Sequence, residues 1–117
     1  MGEDSLFEIS FFENVLEHNP RYAKVIEILG NAYTRNGRID DGLRMDRKLI
    51  RLQPQNPTAH YNLACSLALK GRKRDAVAAL RKSLELGYND YDWIAKDSDL
   101  ESLYTYPPFQ ELLAEWP

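Results

Sequence analysis

Apolar residues recur along most of this chain at steps of three and four positions, with polar residues between them. From Ser5 onward, Leu6, Ile9, Phe12 and Leu16 follow this spacing. Because an α-helix completes a turn in about 3.6 residues, the spacing places these side chains on one face. Three further apolar residues, Phe7, Phe11 and Val15, widen that face. Strand-like alternation is rare, so the pattern predicts an all-α protein.

Turn-forming residues divide the pattern into five long helices. Asn19-Pro20 and Asn56-Pro57 each predict an N-cap followed by proline at the first helical position. Glycine suits the left-handed conformation that ends many helices, and Gly37, Gly71 and Gly87 stand at three predicted ends. The predicted helices are 5–19, 20–36, 39–52, 56–71 and 73–86.

Residues 88–117 contain shorter elements and bring the total to about seven or eight helices. Asn89 or Asp90 predicts the cap of a short helix, and Asp97 predicts another. A last helix begins at Pro107-Pro108. The apolar residues of this segment are Trp93, Ile94, Leu100, Leu103, Phe109, Leu112, Leu113 and Trp116. We expect them to cover the last exposed apolar face of the preceding helices.

The chain also resembles itself 34 residues later. A fixed period of about 20–50 residues is typical of stacked repeats, each of which buries its apolar face against its neighbours. The matching pairs are Pro20 and Pro54, Leu29 and Leu63, Gly30 and Ala64, Gly37-Arg38 and Gly71-Arg72, Asp41 and Asp75, Arg47-Lys48 and Arg81-Lys82, and Leu52 and Leu86. The period predicts a single domain with a half repeat or capping helix at 5–19, repeats at 20–53 and 54–87, and a divergent capping segment at 88–117.

Charge is unevenly distributed along the 117 residues, although the net charge is only -3. The net charge is -5 over residues 1–19, +8 over 20–88 and -6 over 89–117. A basic middle between acidic ends could attract an acidic partner or let copies of the chain associate weakly. Alternatively, most of these charges are only solvated side chains on the outer faces of helices.

Residue types that support catalysis are scattered. His18, His60 and Cys65 lie in different predicted helices without metal-ligand spacing. No glycine-rich phosphate loop follows a strand, and the carboxylate pairs Asp40-Asp41 and Asp97/Asp99 stand at helix starts, where they stabilise the helix dipole. We therefore expect no enzyme, no metal site and no cofactor. The predicted binding face is not basic, which disfavours nucleic acid as a partner.

No apolar run approaches the roughly 18 residues that span a bilayer. The first residues are acidic and contain no apolar signal region. We expect no membrane contact and a cytoplasmic location.

The repeated residues resemble those of the tetratricopeptide repeat family. Its signature includes Leu-Gly and Tyr on the first helix of a repeat, which Leu29-Gly30 and Tyr33 match. The resemblance implies a right-handed α-solenoid of antiparallel helix pairs. Small residues would let paired helices approach closely at Gly30, Gly42, Ala64 and Ala76. The core between them would contain Leu29, Tyr33, Leu63, Leu67 and Leu80.

The family commonly binds a peptide segment of a partner protein on the concave face, which the first helix of each repeat lines. The resemblance therefore implies an adaptor or scaffold that is not catalytic. The expected partner-binding residues are Lys24, Glu27, Asn31, Thr34 and Arg35 in the first repeat, and Thr58, Tyr61, Asn62, Cys65 and Ala68 in the second. Asp92 and Lys96 could extend this face. The alternative is a self-associating scaffold or a regulatory domain of a larger protein.

Some family members use a clamp of basic residues and two asparagines to bind a C-terminal carboxylate. Asn31 and Asn62 stand at the spacing of those asparagines. Glu27 and Asp92, however, occupy positions where the clamp has basic residues, and only Lys96 has the expected sign. The sequence therefore disfavours this kind of chaperone docking and favours a neutral or cationic segment.

Asp46 stands where the family has an aromatic residue. A buried carboxylate needs a partner, and His60, which also replaces an aromatic residue, is one candidate. In the alternative, the third helix rotates, Met45 or Leu49 fills the gap, and Asp46 reaches water.

Overall fold

A computed structural model describes the backbone of residues 3–116 and the side chains of residues 5–116. All regular structure within these residues is helical. The α-helices are α1 (Glu3–His18), α2 (Ala23–Arg35), α3 (Ile39–Leu52), α4 (Pro57–Leu69), α5 (Lys73–Glu85), α6 (Tyr91–Ile94) and α7 (Pro107–Glu115), with a 3₁₀ helix at Ser98–Leu103 between α6 and α7. The predicted all-α class and the expected number of helices are confirmed.

The chain divides into two compact units. Unit 1 extends to Pro54 and contains α1, α2 and α3, with α2 packed on both of the others. Unit 2 begins at Gln55. In it, α4 packs on α5 and on the 3₁₀ helix, while α7 packs on α5.

Most predicted helix ends are confirmed by their backbone geometry. Gly37 has a φ of 78°, and the next N–H, from Arg38, bonds to the carbonyl of Tyr33 at 2.9 Å. This is the Schellman arrangement, which satisfies carbonyls at the end of α2. Asn56 caps α4, because its side chain accepts a hydrogen bond from the N–H of Thr58 at 3.0 Å.

The predicted start of α2 at Asn19-Pro20 is wrong. The N–H of Asn19 still bonds to the carbonyl of Val15, at 3.0 Å, as a continuation of α1. The carbonyl of Asn19 then accepts the N–H of Tyr22 in a turn, and α2 begins only at Ala23. The end of the first helix therefore uses the residue that the sequence pattern assigned to the cap of the second.

Unit 1 is held together by close packing between α2 and α3. Ile26, Leu29 and Tyr33 of α2 are buried, as is Leu49 of α3. A Cβ at Gly30 would stand 3.1 Å from Cβ of Met45, so the small residue expected here does permit a close approach.

Asp46 is buried against α2. It is 5% exposed, and one carboxylate oxygen would lie 3.2 Å from a Cβ at Gly30. Met45 and Leu49 are also buried. The alternative in which Asp46 reaches water is therefore wrong, because the close approach of α3 to Gly30 covers this carboxylate. Its pairing with His60 stays a prediction.

Unit 2 is built around small residues on α4 and α5. Ala59, Ala64 and Ala76 have no exposed surface, and Leu67 and Leu80 are buried between them. Leu63, expected in the core, is only half-buried. The later elements contribute further buried side chains: Ile94, Leu100, Leu103, Phe109 and Leu112. Residues 88–116 therefore complete the core of this unit.

The apolar stripe of α1 is buried along only part of its width. Ile9 is 3% exposed, whereas Leu6 is 51%, Phe7 73% and Phe11 51% exposed. The predicted apolar face of α1 is therefore not buried across its full width. The packing of α2 against the Ile9 side leaves the opposite side of α1 uncovered in unit 1.

Candidate functional site

The expected binding residues of α2 form one exposed stripe, with a single exception. Lys24, Asn31 and Arg35 are exposed and Glu27 is half-buried, at the three- and four-residue steps of one helical face. Lys24 pairs with Glu27 at 3.2 Å, and Arg35 pairs with Glu8 of α1 at 3.3 Å. The stripe therefore combines neutralised charges with the amide of Asn31.

Thr34 does not belong to this stripe. Its Oγ1 lies where a Cβ at Gly42 of α3 would stand, so the side chain is directed at the contact between α2 and α3. The expectation that Thr34 faces an open groove is wrong, because position 34 follows Gly30 by one helical turn and shares its inward side.

On α4, Thr58 is exposed and Asn62 is half-buried. The expectation that Tyr61, Cys65 and Ala68 face an open groove is wrong. Tyr61 is 5%, Cys65 7% and Ala68 2% exposed. Segment 88–103 of the same unit covers them, with Ser102 donating to the carbonyl of Ala68 at 3.2 Å.

The amides of Asn31 and Asn62 are available for a partner. Among the side chains of residues 5–116, neither amide has a hydrogen-bond partner. Each amide offers two donors and an acceptor, which suits an extended peptide backbone. Asp92 and Lys96, the possible extension of this face, are also exposed.

Asp97 organises a buried polar cluster beneath segment 88–103. Its Oδ2 accepts the hydroxyl of Tyr61 at 2.5 Å and lies 3.7 Å from the Cys65 sulfur. Its Oδ1 accepts the N–H of Asp99 at 3.0 Å, and its carbonyl accepts the hydroxyl of Tyr104 at 2.8 Å. The predicted cap at Asp97 is confirmed, but its contacts with α4 were not foreseen.

The environment of this cluster favours neutral side chains around the Asp97 carboxylate. Burial, followed by the negative charge of Asp97, raises the pKa of the Cys65 thiol. Burial, then the neighbouring Cys65 and Asp97, raises the pKa of Tyr61. Burial and Asp97 also raise the pKa of Asp99. Cys65 is therefore a protonated thiol at neutral pH, unlike the thiolate that a nucleophile requires.

Cys65, Asp97 and Asp99 are the one group within the described residues whose ligand atoms lie close enough to hold a metal ion. Both carboxylate oxygens of Asp97 already accept hydrogen bonds from the chain, as described above. These bonds give each oxygen a partner within the chain, so the arrangement fits a structural cluster that joins α4 to the 3₁₀ helix.

A family model described as tetratricopeptide repeat matches residues 29–90. The chain belongs to the tetratricopeptide repeat family. Proteins of this family are helical repeats with adaptor and scaffold roles, and the family is generally not enzymatic. No helix within the described residues is both long and apolar enough to cross a membrane.

Two known proteins are similar to this member of the tetratricopeptide repeat family. A chloroplastic protein from Arabidopsis thaliana is 28% identical over 90 residues, which are 74% of this chain and 27% of that protein. The crystal structure of MamA matches with a TM-score of 0.75 and 22% identity, over 92% of this chain and 61% of that one. The likeness to MamA shows the fold. The match to the Arabidopsis protein spans about a quarter of that protein's length.

Proposed function

We propose that this chain binds a peptide segment of a partner protein, on the concave face that the first helices of repeats line in this family. The observation that carries the proposal is the state of Asn31 and Asn62. They are accessible amides on α2 and α4 without hydrogen-bond partners in the described part of the chain. The proposed binding residues also include the exposed stripe of α2 in unit 1 and Thr58 of α4 in unit 2.

The proposed segment is uncharged or weakly cationic. On α2, Lys24 and Arg35 already have carboxylate partners in Glu27 and Glu8, so they attract an acidic segment only weakly. Glu27 and the exposed Asp92 would repel one. The backbone of a neutral segment instead finds donors and acceptors in the two asparagines.

The test begins with selection of binding peptides from a random library displayed on phage, with the full chain as bait. The strongest peptide is then measured against N31A, N62A and the double variant. Each lost hydrogen bond contributes about 0.5–1.5 kcal/mol, so we expect a loss of about two- to tenfold per site. Because both side chains are accessible, the melting temperature should change little.

The matched control is the double variant N14A and N89A. Both residues are exposed asparagines, one in each unit, without side-chain partners within residues 5–116. This variant should bind like the wild type. Equal affinity of the N31A/N62A variant and the wild type would show that the asparagines do not contact the partner.

Self-association of oppositely charged regions is the alternative that the charge distribution favours. Cations of the basic middle without ion-pair partners among the side chains of residues 5–116 are available to an acidic segment of another copy, and they include Arg21, Arg47, Lys48, Arg51 and Arg74. Light scattering at low and high salt tests this alternative. A monomer at both salt concentrations excludes charge-driven assembly, since screening acts on exposed charges.

A further inference from the structure

A pocket of about 340 Å³ in unit 1 is lined by three cations and no acidic residue. Arg21 lies in the turn between α1 and α2, while Lys48 and Arg51 follow one another by one turn of α3. Pro20 and Leu52 complete the lining. The pocket lies outside the exposed stripe of α2, so it is a second surface, independent of the function proposed above.

These three cations have no carboxylate partner among the side chains of residues 5–116. In the same unit, Arg38 and Arg44 both pair with Asp41, at 2.9 and 3.0 Å. Like charges brought together without a counter-charge raise the local affinity for an anion. Arg35 pairs with Glu8 in the same way, whereas Arg47, an exposed residue of α3 outside the pocket lining, is unpaired among these side chains.

A second pocket of about 330 Å³ adjoins the first and shares Pro20 and Lys48 with it. Its apolar lining comes from Leu16, Leu29 and Met45, of which the last two are almost fully buried. Glu13 and Glu17 of α1 also line it. Arg44, which is paired with Asp41, is a further lining residue. Passing from the first pocket to the second, the lining therefore changes from basic to apolar with charges of both signs.

The geometry points to a site for a phosphorylated peptide, with the phosphate group held by Arg21, Lys48 and Arg51 and a neighbouring large apolar side chain lying in the second pocket. A phosphate carries nearly two negative charges on three strong acceptor oxygens. One arginine guanidinium group can donate two parallel hydrogen bonds to such oxygens. Clusters of arginines are a recurring mode of phosphopeptide recognition.

A compact dianion fits this surface better than a run of acidic residues does. A run of carboxylates that extends past Lys48 would meet Glu13 and Glu17, and like charges would repel it. One phosphorylated residue concentrates its charge in the basic pocket. The adjacent apolar side chain then meets apolar surface, whose burial is favourable.

The test uses fluorescein-labelled nonapeptides with a central Leu-phosphoserine-Leu sequence in a Gly/Ser background. Their matched forms contain serine or glutamate in place of phosphoserine, or glycine in place of both leucines. We expect the phosphorylated form to bind at least about tenfold more tightly than the serine form, because charge-assisted hydrogen bonds are the strong ones. The glutamate and glycine forms should both bind more weakly than the phosphorylated leucine form.

Two variants of the full chain locate the binding. R21Q/R51Q removes two pocket charges, and R74Q/K82Q removes two charges from exposed residues of α5, outside the pocket. We expect the first variant to lose binding of the phosphopeptide about tenfold or more, while the second stays close to the wild type. N31A/N62A should retain phosphopeptide binding, which separates this site from the proposed peptide-binding surface.

Three outcomes would contradict the proposed phosphopeptide site. Equal loss in R21Q/R51Q and R74Q/K82Q would mean that the protein attracts anions through its overall charge. Equal affinity for the serine and phosphoserine peptides would show that the phosphate group does not contribute to binding. Binding of a single-stranded oligonucleotide as tight as that of the phosphopeptide, with the same dependence on Arg21 and Arg51, would make the pocket a general polyanion site.

Discussion

The hydroxyl of Tyr61 donates to the carboxylate of Asp97 at 2.5 Å, across 36 residues of sequence. The same tyrosine ring stacks parallel to Tyr88, with centroids 4.3 Å apart. These two contacts join α4 to the first residue of segment 88–103 and to the cap of its 3₁₀ helix. Tyr61 is therefore a residue of the interior of unit 2, although its position in the repeat suggested a partner-binding role.

Replacing Tyr61 with phenylalanine should destabilise unit 2 without opening a cavity. The stacking on Tyr88 remains, but Oδ2 of Asp97 loses its shortest hydrogen bond. Removing this donor from a buried acceptor costs about 1–3 kcal/mol in the free energy of unfolding. Urea unfolding measures the change. Tyr91 offers the control, because its side chain is partly exposed and Y91F should unfold like the wild type.

Replacing Leu112 with alanine tests whether α7 belongs to the core of unit 2. Leu112 has no exposed surface, whereas its neighbour Leu113 is half-buried. A buried leucine truncated to alanine costs about 2–5 kcal/mol, because transfer and cavity terms add. We expect L112A to lower the free energy of unfolding by this amount and L113A by clearly less. Equal small effects would show that α7 contributes little to the core.

Cys65 provides an independent measurement on the same variants. Its thiol is buried and its pKa is raised, first by burial. Alkylation in the wild type should therefore be slow at neutral pH, since the thiolate is the reactive form. Faster alkylation of L112A than of L113A would locate the destabilisation in the contacts of unit 2 around α4.

Local signals in the sequence predicted most helix boundaries, because the residues that decide them are adjacent. Asn56 and Thr58, for example, are two positions apart, and Gly37 acts on the turn that precedes it. The contact between Tyr61 and Asp97 could not be predicted in this way. The period ends before residue 88, so nothing in the repeat pattern specifies where Asp97 lies.

The apolar stripe of α1 shows a second reason why a sequence pattern does not fully predict which side chains are buried. Leu6, Phe7 and Phe11 extend around a helix that also contains Ile9, so apolar spacing alone cannot identify the side that packs on α2. The structure buries Ile9 and exposes the other three. The asparagines of the proposed surface are a different case. The repeat predicts on which face of its helix each asparagine lies. Only the structure shows that their side chains make no internal hydrogen bonds within the described residues.

Replacing Gly42 with alanine should destabilise unit 1 through a specific clash. The added Cβ would overlap Oγ1 of Thr34. Threonine is branched at Cβ and has few rotamers in a helix, so relief requires its less favourable rotamer or a shift of α2 or α3. We expect a cost of about 1–3 kcal/mol in the free energy of unfolding, typical of overpacked cores.

The double variant T34A/G42A is the matched test of that clash. Removing Oγ1 leaves the carbonyl oxygen of Gly30, at 3.3 Å, as the nearest atom to the new methyl group, and alanine is about 1 kcal/mol better than glycine inside a helix. The double variant should therefore be more stable than G42A alone. Additive effects of the two changes would contradict a direct contact, since independent sites add.

Unit 1 should lose stability at alkaline pH through Tyr33. Burial, then the hydrogen bond from its hydroxyl to Glu13 at 2.6 Å, raises the pKa of Tyr33 from 10.0 to about 12. The folded state therefore retains this proton at a pH where the unfolded chain has released it. By linkage, the contribution of Tyr33 to stability is complete below pH 10.0 and is lost as the pH rises to about 12.

The comparison that isolates this contribution is between the wild type and Y33F, by urea unfolding in steps from neutral pH to the alkaline limit. The stability advantage of the wild type should be constant at first and should shrink above pH 10.0, the ordinary value for tyrosine. Y22F serves as the control, because the Tyr22 ring is 46% exposed. A wild-type advantage over Y33F that stays constant through this range would show that Glu13 and burial do not hold the Tyr33 proton.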